Sequence, residues 1–310
     1  MAEAIRQHGL SLRGFGREQH LAPGEVRFDT RPEALADCEV VLCCVKSGAT
    51  AETAASLAPW LAPGAVVVSL QNGLDNASIL REHLRSQRVV PAVVGFNVVM
   101  HDGATFQQST TGPLVVEAKE GSSDARWIDA LRRAGIDIEL ADPIAPEQWT
   151  KLLVNLNNAI SALSGASTPT MILSSGYRRV MTMLLDEGLS ILGAAGIPTA
   201  KFRGVPLPLM SFVLKLPTPI VRVVVRAQLK VDPESRASMY QDLERRRPTE
   251  VDFLNGKLVE LAEAYGMGAP LNRRIVELVH AAESAAKGCP NLDAKTLLRA
   301  LQSAASPALV

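Results

Sequence analysis

The stretch AVVVSLQNG, residues 65–73, decides the fold of this 310-residue chain. Its continuous apolar run is typical of a strand that is buried on both faces, and it ends in a glycine turn. The run before it, VVLCCVK at 40–46, and the run after it, VVPAVVGFN at 89–97, have the same character. The stretches between them, 50–61 and 76–84, read as helices. This alternation predicts βαβ units and a parallel sheet with helices on both faces.

The pattern changes twice further along the chain. Residues 98–118 predict antiparallel strands around an Asp-Gly turn, followed by a helix and a last strand. From Asp142 onward the strand signal disappears, and the remaining segments read as helices, several of which end on glycine. We therefore predict two domains, an α/β domain over residues 1–142 and an all-helical domain over residues 143–310.

Composition limits the partners of the chain. It carries 32 basic and 32 acidic residues, so its net charge is zero. A general nucleic-acid or membrane-surface binder carries a basic excess, so we predict neither partner. The apolar stretch 205–225 contains Lys215, Arg222 and four prolines. We predict a helical insertion there, because a membrane-spanning helix needs about 20 apolar residues with few charges.

Cysteine and histidine usage excludes two further classes. The four cysteines are too sparse for a disulfide scaffold, and they show neither CxxC nor zinc-ligand spacing. The five histidines show no metal-ligand spacing either, so we predict no metal site. Because the chain also starts with charged and polar residues instead of a signal peptide, we expect a cytoplasmic protein.

The segment KLLVNLNNAISAL, residues 151–163, reads as an apolar helix with an unusual polar stripe. Lys151, Asn155 and Asn158 follow the spacing i, i+4 and i+7, which places them on one helical face. A lysine in such surroundings can donate a proton or stabilise a developing oxyanion, and amides position polar ligands. On this motif alone, a solvated stripe with one lysine remains an alternative.

Two other places carry polar side chains. The segment SMYQDLERRRPTEVDFLNG, residues 238–256, offers Ser238 and Glu250. Glu250 follows Pro-Thr in the arrangement of a capped helix start, where it could simply complement the helix dipole. Lys46 ends one predicted strand and Asn72 ends the next. Ligands of open parallel sheets bind at that edge, so these two side chains are binding candidates.

Together, the order VKS, QNG, K-x-x-x-N and S-x-x-x-D-x(7)-E-x-D-x-x-N-G resembles the ketopantoate reductase (2-dehydropantoate 2-reductase) family over nearly the whole chain. The resemblance implies a Rossmann-like dinucleotide-binding domain, an all-helical domain after it, and an active site in the cleft between them. It implies reduction of 2-dehydropantoate, a small 2-oxo acid, to (R)-pantoate with NADPH, on the route to pantothenate and coenzyme A. A homodimer is a possible assembly.

The resemblance also assigns roles to matching positions. Lys151 matches the general acid that protonates the ketone oxygen as hydride arrives, and Glu250 matches the carboxylate that engages the substrate hydroxyl. Asn155 and Ser238 match substrate-binding positions. Asn158 is a further substrate-binding candidate, although the helix reads Asn-Ala here where many members have Asn-Pro.

The cofactor side of the resemblance is incomplete. Lys46, Asn72 and Glu250 match cofactor-binding positions, and Asn72 also matches a substrate contact at the nicotinamide. However, no GxGxxG turn occurs, and the chain begins in a segment that resembles the one after the second strand of a dinucleotide fold. We therefore expect the α/β domain to lack an N-terminal βαβ unit of roughly 30 residues. The residue that selects NADPH over NADH would lie in the same piece.

Two alternatives stay open. The insertion at 205–225 could reshape the cleft, so the chain could reduce another branched 2-oxo acid. It could also be a truncated, non-catalytic remnant that binds the cofactor poorly.

Overall fold

The structure, a computed structural model, describes residues 1–14, 17–101, 103–226 and 236–305. The chain divides into two compact units. The first unit comprises Met1–Gln71 and Asp75–Ile144, and the second comprises Asn72–Leu74 and Ala145–Val310. Within the predicted helical domain, residues 227–235 and 306–310 lie outside the described residues.

The first unit combines strands with four α-helices in its described part. The strands are β1 (Leu10–Gly14), β2 (Arg17–Leu21), β3 (Val40–Cys43), β4 (Val66–Ser69), β5 (Arg88–Val94), β6 (Val98–His101), β7 (Thr105–Gln108), β8 (Leu114–Glu117) and β9 (Ile138–Ala141). The α-helices are α1 (Ala2–His8), α2 (Thr50–Leu57), α3 (Asn76–His83) and α4 (Ala125–Arg133). Short 3₁₀ helices cover Pro32–Leu35 and Ser47–Ala49.

A five-stranded sheet in the order β3-β4-β5-β8-β9 forms the centre of this unit. The strands β3, β4 and β5 are parallel, as their apolar runs predicted. Val67 and Val68 on β4 are both fully buried, and they belong to different hydrophobic clusters. The sheet is therefore covered on both faces, and this explains why its strands show no polar alternation.

A second, four-stranded sheet has the order β2-β1-β7-β6. The antiparallel pair β6–β7 was predicted from its sequence, whereas β1 and β2 were not. Both unpredicted strands are short and largely solvent-exposed, and Arg13 pairs with Glu18 across them. Such strands carry no buried apolar face, so hydrophobic periodicity cannot reveal them.

The second unit is helical apart from one hairpin in its described part. The helices are α5 (Ala145–Asn155), α6 (Asn157–Ser164), α7 (Thr168–Leu173), α8 (Ser175–Ala194), α9 (Leu207–Lys215), α10 (Thr218–Arg226), α11 (Ser238–Glu244), α12 (Lys257–Ala264), α13 (Pro270–Ala285) and α14 (Ala294–Ala305). The hairpin consists of β10 (Lys201–Phe202) and β11 (Val205–Pro206). A π-helical turn covers Asp252–Gly256. The predicted fold class, an α/β part followed by a helical part, is confirmed.

The core of the second unit gathers around α6 and α8. Ile160 and Leu163 on α6 are fully buried, and burying a side chain of this size stabilises the fold by about 1.5–3 kcal/mol. Gly188 lets α8 approach its neighbours closely. A Cβ atom at this position would lie 2.4 Å from Leu153 Cδ2 and 3.1 Å from Leu258 Cδ1. The depth at which α5 packs against α8 therefore depends on a missing side chain.

The apolar stretch 205–225 folds mainly into α9 and α10, so the prediction of helical structure there is confirmed. Several of its apolar side chains are exposed, with Phe212 and Val223 the most accessible of them. No helix in the described ranges is both long enough and apolar enough to cross a membrane.

Candidate active site

The polar stripe predicted over residues 151–163 lies on two helices. The nitrogen of Leu156 bonds to the oxygen of Leu153 at 3.4 Å, an i to i+3 contact that interrupts the α-helix. Lys151 and Asn155 therefore share one face of α5, one turn apart, whereas Asn158 belongs to α6. The expectation of one continuous helix was wrong. Leu156 is buried in the core, and this burial favours the tighter turn over one regular helical hydrogen bond.

Asn72 links two of the predicted site residues. The amide nitrogen of Asn155 donates to Asn72 Oδ1 at 3.4 Å, and Asn72 Nδ2 donates to Glu250 Oε2 at 3.4 Å. Gly73 follows with a φ angle of 89°, so the turn that presents Asn72 requires glycine. We call Lys151, Asn155, Asn72 and Glu250 the charged cluster. Both hydrogen bonds are long.

Lys151 contributes an unusual ammonium group to the charged cluster. Burial lowers the pKa of Lys151 from its ordinary value of 10.5 to about 8, and the positive charge of Arg203 contributes to the same shift. Within the described residues no hydrogen bond or ion pair to this ammonium is present. An ammonium with such a pKa gives up its proton far more readily than an exposed lysine does near neutral pH.

Arg203 lies close to Lys151 because the hairpin that carries Arg203 is hydrogen-bonded to α5. The nitrogen of Ala200 donates to Thr150 Oγ1 at 2.8 Å, directly before β10. Arg203 then occupies the hairpin turn with a φ angle of 51°, and its guanidinium lies 5.5 Å from the centroid of the Phe202 ring. Sequence analysis missed Arg203, because no spacing rule relates it to Lys151. Only the tertiary fold makes these two cations neighbours.

Glu250 is buried, with 6% of its surface exposed, but it does not lie inside a helix. The sequence predicted a helix start with Glu250 in the first turn. Instead, Thr249 Oγ1 accepts a hydrogen bond from the nitrogen of Val251 at 3.3 Å, and the helical residues begin at Val251. The helix therefore starts one residue later than predicted, and Glu250 lies directly before its first residue.

Three predicted site residues lie outside the charged cluster. Ser238 is exposed at the first residue of α11, and no hydrogen bond joins it to other parts of the described structure. Asn158, which is half-buried on α6, likewise has no hydrogen bond to other parts of the described structure. Lys46 belongs to the first unit, where it is exposed and directly precedes the 3₁₀ helix that follows β3. The structure thus joins three of the seven candidates by hydrogen bonds and places Lys151 one helical turn from one of them.

The first unit contains a polar network that sequence analysis missed. The Thr50 hydroxyl lies 2.7 Å from Asn76 Oδ1 and accepts a hydrogen bond from Gln71 Nε2 at 2.6 Å. Asn76 Nδ2 donates to the Ser47 hydroxyl at 3.3 Å. We call Ser47, Thr50, Gln71 and Asn76 the neutral network. The sequence feature that could have revealed it is Gln71, directly before Asn72. The hydrogen bond of Gln71 to Thr50 fixes the chain just past the end of β4.

The described residues do not favour a metal site or a reactive cysteine. No group of three or more histidine, cysteine, aspartate and glutamate side chains there could hold a metal ion. All four cysteines are free thiols. Burial raises the pKa of the Cys43 and Cys289 thiols, so neither is an activated nucleophile.

Comparison with known proteins identifies relatives of both units. Residues 1–121 match the family model described as ketopantoate reductase PanE/ApbA, and residues 143–283 match its C-terminal counterpart. The 2-dehydropantoate 2-reductase of Archaeoglobus fulgidus is 28% identical over 286 residues, which cover 91% of this chain and 86% of the relative.

Solved structures agree with these matches. A PanE/ApbA family ketopantoate reductase from Ralstonia eutropha superposes with a TM-score of 0.76 and 29% identity, over 92% of this chain and 88% of the other. D-mandelate dehydrogenase, solved with NADH and anilino(oxo)acetate, has a TM-score of 0.69 and 19% identity, over the same shares. This last likeness concerns the fold alone.

Proposed function

The chain belongs to the ketopantoate reductase family of oxidoreductases, and from this premise we propose that it reduces 2-dehydropantoate to (R)-pantoate with NADPH. The observation that carries the proposal is the ammonium of Lys151, whose pKa burial lowers to about 8. It lies one helical turn before Asn155, which is hydrogen-bonded to Asn72. The product would enter the synthesis of pantothenate and coenzyme A.

The chemistry of the reaction explains why these residue types belong together. Reducing a ketone to an alcohol builds negative charge on the carbonyl oxygen. In our proposal, Lys151 stabilises that charge and donates a proton to the oxygen, because a desolvated cation interacts strongly with a developing anion. Asn155 holds the substrate in place, and Glu250 accepts a hydrogen bond from the substrate hydroxyl. NADPH, when bound, supplies the hydride.

The remaining candidates complete the proposed substrate site. Ser238 would donate a hydrogen bond to the substrate carboxylate, as the family resemblance implies. Asn158 would contribute a further amide. Neither residue carries the proposal, since neither is bonded to the charged cluster.

The cofactor would be held by Lys46, Asn72 and Glu250. Lys46 is exposed and follows β3 at the carboxyl end of parallel strands, which suits an anionic group of the nucleotide. The amide of Asn72 can bond to the nicotinamide carboxamide. This donor set fits the nicotinamide end of the cofactor, whereas the 310 residues contain no GxGxxG turn for the pyrophosphate.

A reductase assay tests the proposal. The purified chain is mixed with NADPH and 2-dehydropantoate, and the loss of nicotinamide absorbance is followed. We expect this substrate to give a higher kcat/KM than other branched 2-oxo acids, and NADPH a higher one than NADH. A preference for another 2-oxo acid would favour that alternative, and no turnover with any substrate would contradict the proposal.

A binding experiment separates an enzyme from a remnant that binds the cofactor poorly. The melting temperature is measured while NADPH is added. A rise that follows mass action supports an assembled nucleotide site, and no rise at about millimolar nucleotide favours the remnant.

Two broader predictions accompany the proposal. A cytoplasmic location is supported by the four free thiols, and imaging of a tagged chain would test it. The homodimer remains a prediction, and light scattering on the purified chain would measure the assembly directly.

A further inference from the structure

Asn255 holds an unusual position just after Glu250. It lies in the π-helical turn Asp252–Gly256 and is completely buried. Its Nδ2 donates to Asn272 Oδ1 at 3.0 Å, but its Oδ1 has no hydrogen-bond partner among the described residues. A buried polar atom without a partner lowers stability. Since π turns are rare and occur frequently at functional sites, Asn255 points to a role other than stability.

Asn272, the partner of Asn255, is itself held rigidly. Its backbone nitrogen and its Nδ2 both donate to Glu187 Oε2, each at 2.8 Å. The nitrogen of Leu271 donates to the other oxygen of the same carboxylate at 2.9 Å. Glu187 thus fixes the first turn of α13, and the Asn272 side chain offers its Oδ1 to Asn255 in one defined orientation.

The chain on the other side of Glu250 is fixed by the same helix. The nitrogen of Thr249 donates to Glu283 Oε1 at 2.6 Å, and Glu283 lies on α13 like Asn272. Residues 272 and 283 are 11 positions apart, close to three helical turns, so they project from one face of α13. Glu250 therefore lies between two anchors on a single helix face.

We propose that Asn255 is a positioning residue for Glu250. Through Asn272 it anchors the π-helical turn against α13 and thereby sets where the Glu250 carboxylate meets Asn72 Nδ2. This inference rests on the proposed function, because it takes Glu250 as a group that binds the substrate.

The Asn255→Leu variant tests the anchor. It removes the donor to Asn272, but it also removes the unpartnered Oδ1, so the number of unsatisfied buried acceptors stays the same. We expect a melting temperature close to that of the wild type. We also expect an approximately tenfold lower kcat/KM for the 2-oxo acid, with a higher KM for that substrate and an unchanged KM for the nicotinamide cofactor.

Two further variants accompany this test, one as a replacement for Asn255→Leu and one as a control. Asn255→Ser, whose hydroxyl is too short to reach Asn272, replaces the leucine variant if the larger side chain prevents folding. His280→Gln is the matched control, because His280 joins α13 to Asp252 of the same π-helical turn through an exposed contact of 3.0 Å. We expect the control to keep its activity, since exposed polar contacts contribute little.

A double-mutant cycle distinguishes positioning from a general structural role. Asn255→Leu is combined with Glu250→Gln, and kcat/KM is compared across the four proteins. If Asn255 acts through Glu250, the double variant is no worse than Glu250→Gln alone. Losses that simply add would overturn the inference.

The inference stays testable if the proposed function fails. In that case the wild-type chain reduces no 2-oxo acid, and crystal structures of the wild type and of Asn255→Leu are compared instead. A displacement of Glu250 Oε2 from Asn72 Nδ2 in the variant supports the inference. A retained contact near 3.4 Å would refute it.

Discussion

The neutral network and the charged cluster are both polar groups of side chains, but they differ in charge. Contacts within the neutral network range from 2.6 to 3.4 Å, and its side chains carry no charge. The hydrogen bonds that join Asn155, Asn72 and Glu250 measure 3.4 Å, and the charged cluster contains an ammonium and a carboxylate. Neutral groups that bond to one another stabilise a fold, whereas ionisable groups can also exchange a proton or charge-assisted hydrogen bonds with a ligand. Polar burial alone therefore does not mark a functional site.

The largest effect is expected from Lys151→Ala in the charged cluster. Removing one well-placed donor to a developing oxyanion costs about 3–4 kcal/mol, so kcat should fall at least about a hundredfold. Cofactor binding, measured by the rise in melting temperature, should persist. Lys295→Ala, at an exposed position of α14, serves as the control and should be fully active. If Lys151→Ala kept turnover near the wild-type level, the charged cluster would be no more important for activity than the neutral network.

A smaller loss is expected from Glu250→Gln. The substitution keeps the shape of the side chain and removes its charge, and a hydrogen bond to a charged group contributes about 1.5–3 kcal/mol. We expect kcat/KM for the 2-oxo acid to fall about tenfold or more. Glu260→Gln, an exposed carboxylate on α12, is the control. Equal activity of both variants would show that the charge at Glu250 is unimportant.

The neutral network should respond in stability instead of activity. Thr50→Val keeps the shape of the side chain but deprives Gln71 and Asn76 of a hydrogen-bond partner. We expect the free energy of unfolding to fall by about 2 kcal/mol, measured by chemical denaturation, with only a small change in kcat. A large loss of kcat at unchanged stability would instead place the neutral network in the active site.

The smallest effect concerns the pH profile. Lys151 must be protonated to donate, so kcat/KM should be lost as the pH rises through about 8, well below the ordinary lysine value of 10.5. Arg203→Gln removes a neighbouring positive charge, which favours the protonated ammonium, so this alkaline limb should move to higher pH. Lys201→Gln on the same hairpin is the matched control. An unmoved limb in Arg203→Gln would show that burial alone sets the pKa.

The fold was predictable where burial leaves a pattern in the chain. Strands β3, β4 and β5 are enclosed on both faces, so they read as continuous apolar runs, and the helices after residue 144 carry clear apolar faces. Strands β1 and β2 gain their pairing without a buried face. β1 pairs with β7, which lies about 90 residues further along the chain. The local sequence therefore does not reveal that β1 and β2 are strands.

The candidate site was predictable in its residue types but not in its backbone. Motif order identified Asn72, Lys151, Asn155 and Glu250, and the structure bonds three of them in a chain. The interruption at Leu156 and the π-helical turn were not predictable, because neither contains a proline that would force it. Both arise from competition between side-chain packing and regular hydrogen bonding, and only the assembled core decides that competition.

The close approach at Gly188 has a consequence for how such enzymes diverge. One added methyl group there would collide with Leu153, two residues after the lysine, and would have to be absorbed by moving one helix away from the other. The position of α5, the helix that carries Lys151, is thereby coupled to a residue without any functional group. Mutational surveys confined to polar residues would overlook this position, and graded changes in side-chain volume there offer a way to move α5 without altering any polar side chain.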